Sequence, residues 1–263
     1  MKKIYSIIIA LMVTLAVSAQ STREYVDLGL PSGTLWATCN VGANKPEEYG
    51  DYFAWGETVT KEAYGNGNYK WYDTENTTIT KYCTDSRQGT VDNKTEILPE
   101  DDAATANWGS DWCMPSLDQI NELCNSDYTT IEWIVQDEVN RFNGCLITSK
   151  KNGNTLFLPA AGYRYYGSLC EGCGGYWSRS LSMDSSNSAY RLNMLVRNIG
   201  YVDDNRCFGF SVRPVRSKGG SATSVDGIAD NQKAAKSRKY ISDGNLVIEK
   251  GGKLYNANGI MVK

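Results

Sequence analysis

The sequence predicts a strand- and loop-rich domain that contains two short helices and is followed by a short C-terminal β appendage. The 263 residues include 17 Tyr, 7 Trp and 25 Gly, a mixture typical of short strands and aromatic pockets. Apolar residues alternate in several short runs, whereas helical spacing is clear in one segment. Between residues 217 and 239 large apolar residues are rare, which indicates the end of the main domain.

The first 19 residues are predicted to be a secretory signal peptide. Two lysines precede an apolar core at 7–17, and the small side chains of Val17 and Ala19 predict cleavage before Gln20. The apolar core is too short for a membrane span, and no later stretch is apolar enough to be one. We therefore expect a secreted or cell-surface protein, with the periplasm as an open alternative.

The composition excludes several classes of function. Without the leader, 25 basic side chains stand against 30 acidic ones, a net charge near −5, so a nucleic-acid partner is not expected. The chain has no histidine, which removes every Ser–His, Cys–His and His–metal arrangement. Eight cysteines in an exported chain favour disulfides, but their pairing stays open. Cys170 and Cys173 are interpreted as a loop disulfide or two separate thiols rather than a zinc or redox site.

The elements of the N-terminal half are predicted from turn residues and aromatic runs. Residues 24–43 indicate two short strands around a turn at 31–33. Residues 49–57 are aromatic and rich in Gly, and we expect them to pack against the core. The polar residues 58–99 are expected to form long ordered loops.

Two helices are predicted in the middle of the chain. The first lies within 99–109, where acidic residues precede a run of alanines. The second lies within 114–125, where Ser116 and Gln119 have the spacing of a capping box. Its apolar face is predicted to consist of Leu117, Ile120, Leu123 and Cys124.

Three strands are predicted before residue 216. The first, within 154–164, ends in a turn that contains proline, and the second, at 189–195, precedes a turn at 197–200. Alternation predicts that Tyr190, Leu192 and Met194 share one side of the second strand. In the last strand, at 207–215, it places Phe208, Phe210 and Val212 inward and Gly209, Ser211 and Arg213 outward.

The C-terminal region is predicted to be a linker and a small tail. Residues 217–239 have the composition of a flexible linker. Residues 240–263 indicate two or three short strands with Gly-containing turns, hence a short β-hairpin tail. So few residues bury little apolar surface, so the tail is not expected to be a second working domain.

Several blocks of the chain occur in the order of a known family. They are DLGLPSGTLWATCNVGA, YGDYFAWGE, DDAATANWG, DWCMPSLDQINEL, NGNTLFLPAAGYR, YWSRS and GFSVRPV. Over about 25–216 the chain resembles the Fibrobacter succinogenes major paralogous domain, a family common in exported proteins of Bacteroidetes. It departs from the family at Cys113, where Arg is more usual.

The resemblance implies an α+β, C-type-lectin-like fold for the domain at 20–216, in the branch of the formylglycine-generating enzymes. Such a domain has a twisted antiparallel sheet, flanking short helices, long loops and a ligand surface near its C-terminal strands. The tail resembles, more weakly, C-terminal sorting segments of Bacteroidetes secretion.

The polar stretch at 178–207 is the predicted binding region. Ser, Asn, Asp, Arg and Tyr make up 19 of its 30 residues, a mixture typical of binding loops. In relatives diversified by a retroelement, the resemblance places the variable surface here; a solvated loop without a partner is the alternative. The candidate ligand-binding residues are Arg179, Arg191, Asn193, Arg197, Tyr201, Asp203, Asp204 and Asn205.

The remaining aromatic and acidic residues give weaker hypotheses. Trp71 and Tyr72 are the candidates for exposed stacking, and Asp203 with Asp204 is a weak candidate for a calcium loop. The other tryptophans considered are predicted to pack in the core, namely Trp36, Trp55, Trp108, Trp112 and Trp177.

The sequence therefore predicts a non-catalytic binding module that recognises a glycan, a peptide or a protein. We expect no metal, no cofactor and no catalytic residue, because the paired cysteines implied for formylglycine-type catalysis are reduced here to Cys207. Two alternatives stay open: a structural or assembly subunit of a surface layer or fimbria-like polymer, and a retroelement-diversified receptor.

Overall fold

A computed structural model describes residues 23–135, 142–196 and 198–217, and the strands of the tail. The predicted signal peptide, nearly all of the predicted linker and Arg197 lie outside the described residues. The chain divides into two compact units, Met1–Thr223 and Ser224–Lys263. Among the described residues, no helix combines the length and the apolar character needed to cross a membrane.

The first unit is mostly β-sheet with a few short helices. Its helices are α1 (Ala103–Trp108) and α2 (Leu117–Cys124), with short 3₁₀ turns at Asn66–Asn68 and Pro99–Asp101. Its strands are β1 (Tyr25–Asp27), β2 (Thr34–Ala37), β3 (Tyr52–Phe53), β4 (Tyr72–Asp73), β5 (Thr78–Ile79), β6 (Thr129–Ile134), β7 (Gly144–Ser149), β8 (Thr155–Pro159), β9 (Tyr163–Tyr165), β10 (Ser168–Cys170), β11 (Gly174–Leu181), β12 (Ser188–Leu195), β13 (Asn198–Asn205), β14 (Phe210–Ser211) and β15 (Val215–Ser217).

The largest sheet has five strands in the order β13–β12–β11–β14–β3. β14 runs parallel to β11, and the other neighbours are antiparallel. Smaller antiparallel sheets are formed by β1–β2–β15, β6–β7–β8, β9–β10 and β4–β5. The turn predicted at 197–200 is wrong in position, because β12 continues to Leu195 and β13 already begins at Asn198.

Both predicted helices are present, and each has a side-chain cap. The capping box of α2 is confirmed, since Ser116 Oγ accepts from Gln119 N and the Gln119 side chain accepts from Ser116 N. Ile120 and Leu123 are buried against the large sheet. At α1 the cap is Asp102, whose Oδ1 accepts from Thr105 N at 2.9 Å.

The buried cap Asp102 predicts that mild acidification stabilises the fold. Burial raises the pKa of its carboxyl from 3.8 to about 6. A carboxyl whose pKa rises on folding contributes more stability as the pH falls from 7 towards 4, because the folded state then binds the extra proton. Relative to Asp102→Asn, the wild-type protein should gain about 1 kcal/mol of unfolding free energy between pH 7 and pH 5. Urea denaturation of both proteins at the two pH values tests this, and an equal change in both would contradict it.

The five tryptophans predicted to be core residues are all buried, which confirms that prediction. Two of them tie distant segments together through their indole N–H groups. Trp55 Nε1 donates to Ser178 O and Trp177 Nε1 donates to Phe53 O, both at 2.8 Å. These bonds satisfy polar groups that burial would otherwise leave without a partner.

The outward side predicted for the last strand is wrong. Gly209, Ser211 and Arg213 are buried, as are Phe210 and Val212. The physical reason is that an earlier segment of the chain covers the predicted outward side: Gly209 lies against the Tyr64 ring, and Ser211 Oγ donates to Tyr49 O at 3.1 Å. Arg213 is accommodated there because its guanidinium donates to Asn40 Oδ1 at 2.7 Å and to the carbonyl of Ala37 at 3.0 Å.

The tail is a three-stranded antiparallel sheet. Its strands are β16 (Arg238–Ser242), β17 (Asn245–Lys250) and β18 (Lys253–Tyr255), with β17 in the centre. The tail therefore carries one strand more than a hairpin.

Candidate ligand-binding surface

Much of the polar stretch at 178–207 forms strand backbone and buried hydrogen bonds rather than loops. Three of its polar residues, Ser178, Ser186 and Arg206, are no more than 1% exposed. Ser178 Oγ donates to Tyr190 O at 2.7 Å, and Arg206 donates to Ser186 O at 2.7 Å. The composition of the stretch thus partly reflects internal hydrogen bonding, which sequence alone does not distinguish from a binding loop.

Strand alternation divides the predicted ligand-binding residues between two faces of the β12–β13 ribbon. In the register of the two strands Arg191 lies opposite Val202 and Ala189 lies opposite Asp204. Because neighbouring side chains alternate, one face carries Arg191, Asn193 and Asp204. The other face carries Tyr201, Asp203 and Asn205.

The first face contains a compact charged group. Arg191 Nε donates to Asp204 Oδ2 at 3.1 Å, and its Nη1 donates to Asn193 Oδ1 at 2.9 Å. The guanidinium lies 4.6 Å above the Phe210 ring. The Arg191 side chain is only 11% exposed, so the group is ordered and partly desolvated before any ligand arrives.

The second face presents separate side chains. Tyr201 is 50% exposed and makes an edge-to-face contact with Tyr190 at 5.8 Å between ring centroids. Asp203 accepts from Ser182 Oγ at 3.1 Å. Leu192 and Met194, predicted to share this side with Tyr190, are buried next to α2.

Two of the predicted ligand-binding residues remain, Arg179 and Arg197. Arg179 forms an ion pair with Glu96 at 2.5 Å and donates to Cys113 Sγ at 3.5 Å. Arg179 is thus held in a separate, half-buried network with Glu96 and Cys113. Arg197 lies outside the described residues, so its placement stays a prediction.

A row of aromatic rings that sequence reasoning did not select continues from the charged group. We call it the aromatic ladder; it begins at Phe210 and continues through Tyr163, Phe208, Tyr165 and Tyr166. Successive ring centroids lie 5.3, 5.9, 4.6 and 4.4 Å apart. Tyr165 is 40% exposed and Tyr166 is 61% exposed. The ladder therefore leads from the buried core to an exposed tyrosine pair.

The exposed end of the ladder is fixed by its backbone. Tyr166 N donates to Tyr64 O at 2.7 Å and Tyr64 N donates to Tyr166 O at 2.8 Å. Tyr166 has a φ of +49°, in the left-handed region that suits the tight β9–β10 turn. The local signal for this arrangement is the run YRYYG at 163–167, in which three tyrosines precede a turn glycine.

The residues predicted for exposed stacking are placed differently. Trp71 and Tyr72 are both half-buried. Trp71 Nε1 donates to Gly56 O at 2.9 Å, and the ammonium groups of Lys70 and Lys81 lie 4.2 and 4.8 Å from its ring. The Trp71 ring is thus already engaged by two cations.

The cysteines are free thiols in the structure. Burial raises the pKa of Cys207 to about 11 and that of Cys113, Cys124 and Cys145 to about 12. These four thiols are therefore protonated at neutral pH. Within the described ranges, no group of three or more Cys, Asp or Glu side chains is arranged to hold a metal ion. Disulfide pairing stays a prediction.

No protein family, no curated protein and no solved structure matches this chain.

Proposed function

We propose that this chain is an exported, non-catalytic binding module of C-type-lectin-like fold, related to the major paralogous domain family that it resembles. Its ligand is an extracellular glycan, peptide or protein. The contact surface is the exposed part of the aromatic ladder together with the Arg191 group, which is the hydrogen-bonded set of Arg191, Asn193 and Asp204. A mostly β-sheet domain with two short helices is compatible with that fold.

The observation that carries this proposal is a pair of exposed tyrosines on a fixed backbone, linked through the aromatic ladder to an ordered charged group. Tyr165 and Tyr166 offer aromatic faces at the tip of a hairpin, and Arg191, Asn193 and Asp204 offer hydrogen-bonding groups beyond the buried part of the ladder. Rigid tyrosines give large amphipathic contact area at a small cost in conformational entropy. Such a surface is suited to reversible recognition.

The non-catalytic part of the proposal is supported by the state of the candidate nucleophiles. Burial keeps the Cys207 thiol protonated, and the sequence lacks histidine to deprotonate it. The buried carboxyl of Asp102 is occupied as a helix cap, because it accepts from the backbone N–H of Thr105 and of Met114.

The proposal predicts that removing both exposed rings weakens binding without unfolding the protein. For the Tyr165→Ala/Tyr166→Ala variant we expect the Kd for a glycan or peptide identified on arrays to rise at least about tenfold, because hot-spot tyrosines contribute about 1–2 kcal/mol or more. The melting temperature should change little, since both rings are partly solvated. Isothermal titration of the purified protein measures the Kd.

The matched control is Tyr128→Ala, which removes a tyrosine that is 37% exposed next to β6. Its Kd should equal that of the wild type. Equal binding by the ladder variant and the wild type would overturn the proposed surface. Loss of binding in Tyr201→Ala alone would move the contact to the opposite face of the ribbon.

A further inference from the structure

The outer strand of the large sheet has a long free edge. β13 is the terminal strand of the order β13–β12–β11–β14–β3, and it pairs with β12 over all eight of its residues. Tyr201, Val202 and Asp203 are exposed consecutively in its second half. Among the described residues of the first unit, no strand pairs with the other side of β13.

The phase of the backbone hydrogen bonds shows which groups of β13 point away from the sheet. Arg206 N donates to Asn187 O at 3.1 Å, one position beyond the last pair of the β12–β13 register. Hydrogen-bonded pairs alternate along antiparallel strands, so Gly200, Val202 and Asp204 bond to β12. The N–H and C=O groups of the residues between them therefore point outward, namely those of Ile199, Tyr201 and Asp203.

The free edge ends at Asn205, whose backbone N–H and C=O already have hydrogen-bond partners within the chain. Asn205 N donates to Asp204 Oδ1 at 2.9 Å, and Asn205 O accepts from Phe208 N at 3.0 Å. The free edge thus comprises the outward groups of Ile199, Tyr201 and Asp203, with an apolar beginning and an acidic end. Unpaired edges of this length are templates for another strand.

The negative charge of Asp203 favours an incoming strand with basic side chains over one with acidic side chains. Asp204 is paired with Arg191, whereas Asp203 is exposed and accepts from a serine hydroxyl. A second copy of this acidic chain would bring further carboxylates to the same edge, and the whole chain carries a net charge of −3. A segment that carries lysine or arginine opposite Asp203 gains attraction there.

We propose that the edge of β13 at 199–203 receives an extended segment of another protein by strand addition. On the face that it shares with Tyr201 and Asp203, the segment carries an aromatic or β-branched side chain next to Tyr201 and, two residues away, a basic side chain next to Asp203. This surface lies on the sheet edge rather than on the aromatic ladder, so the inference goes beyond the proposed function and does not depend on it.

Amide hydrogen exchange followed by NMR on the full exported chain tests the proposal. The probes are a short peptide in which valine and lysine stand two residues apart, separated by threonine, and its counterpart with glutamate in place of lysine. In the free protein the amides of Ile199, Tyr201 and Asp203 should exchange fast, and those of Gly200 and Val202 slowly. The lysine peptide should slow exchange at the three outward amides at least about tenfold, and the glutamate peptide should not.

Two variants separate the backbone from the side chains. Tyr201→Pro removes an outward N–H and should abolish peptide protection, whereas Tyr201→Ala keeps that N–H and should retain most of it. Because proline can distort the strand, Asp203→Lys provides a second test: it should reverse the preference from the lysine peptide to the glutamate peptide. The Tyr165→Ala/Tyr166→Ala variant should bind the lysine peptide like the wild type.

Three results would overturn the proposal. The first is protection of the outward amides in the free, dilute protein, which would mean that the edge is already occupied. The second is equal binding of both peptides by the wild type. The third is concentration-dependent dimerisation in sedimentation that Tyr201→Pro abolishes, which would assign the edge to a second copy of the chain.

Discussion

Replacing Arg206 with Met is expected to lower the free energy of unfolding by about 4 kcal/mol. Arg206 is 1% exposed, and its guanidinium donates to Tyr69 Oη and to the carbonyls of Lys81, Tyr82 and Ser186 at 2.7–3.1 Å. Met keeps most of the volume but leaves three carbonyls and a hydroxyl without a donor in the interior. Buried acceptors without a donor each cost about 1–3 kcal/mol. Urea denaturation measures the loss.

The matched control is Arg87→Met. Arg87 pairs with the acidic side chain of Asp85, and its own side chain is 88% exposed. Such a surface pair contributes about 0–1 kcal/mol. Arg206→Lys should recover less than half of the loss, because a single ammonium does not reach all four acceptors. A loss of about 1 kcal/mol or less in Arg206→Met would contradict the described network.

Replacing Arg213 with Met is expected to cost about 3 kcal/mol, although the strand pattern alone predicts an outward side chain whose loss would cost almost nothing. Arg213 is fully buried and donates to Asn40 Oδ1 and to the carbonyls of Ala37 and Thr38. Burial lowers the pKa of its guanidinium, because the charged form gives up solvation in the interior. The three hydrogen bonds to neighbouring chain segments offset that penalty.

A double-mutant cycle with Asn40→Ala isolates one of these bonds. The two side chains are joined at 2.7 Å, so the double variant should lose about 1–2 kcal/mol less than the sum of the single variants. Chemical denaturation of the four proteins supplies the energies. Strict additivity would contradict the hydrogen bond between Arg213 and Asn40. A small effect of Arg213→Met alone would contradict the burial of Arg213.

The features that the sequence predicted well depend on residues that are only a few positions apart in the chain. The capping box of α2 needs only Ser116 and Gln119, three residues apart, and both hydrogen bonds are present. The alternation around Leu192 and Met194 likewise places both on a buried face. The burial of the five tryptophans follows from their size and apolar surroundings.

The features that the sequence missed depend on which strands are neighbours. β14 pairs with β3, about 160 residues earlier, and with β11. Ser211 and Arg213 are buried because the chain near β3 covers them, with hydrogen bonds to Tyr49 O and Asn40 Oδ1. β13 is rich in Asn, Asp and Gly, which favour turns, yet it forms a strand because β12 offers it a full ladder of hydrogen bonds. Local propensity contains no information about either partner.

In the candidate site, too, some residues could be predicted from the sequence, whereas others were brought together only by the tertiary structure. Sequence alone selected Arg191, Asn193 and Asp204, and the register of β12 and β13 places them in one hydrogen-bonded group. The aromatic ladder was decided by tertiary structure, because Tyr163 and Phe208 come from separate segments that meet only when β9 packs beside β14. Side-chain chemistry along the chain determines what each residue can do, whereas the pairing of distant strands determines which residues act together.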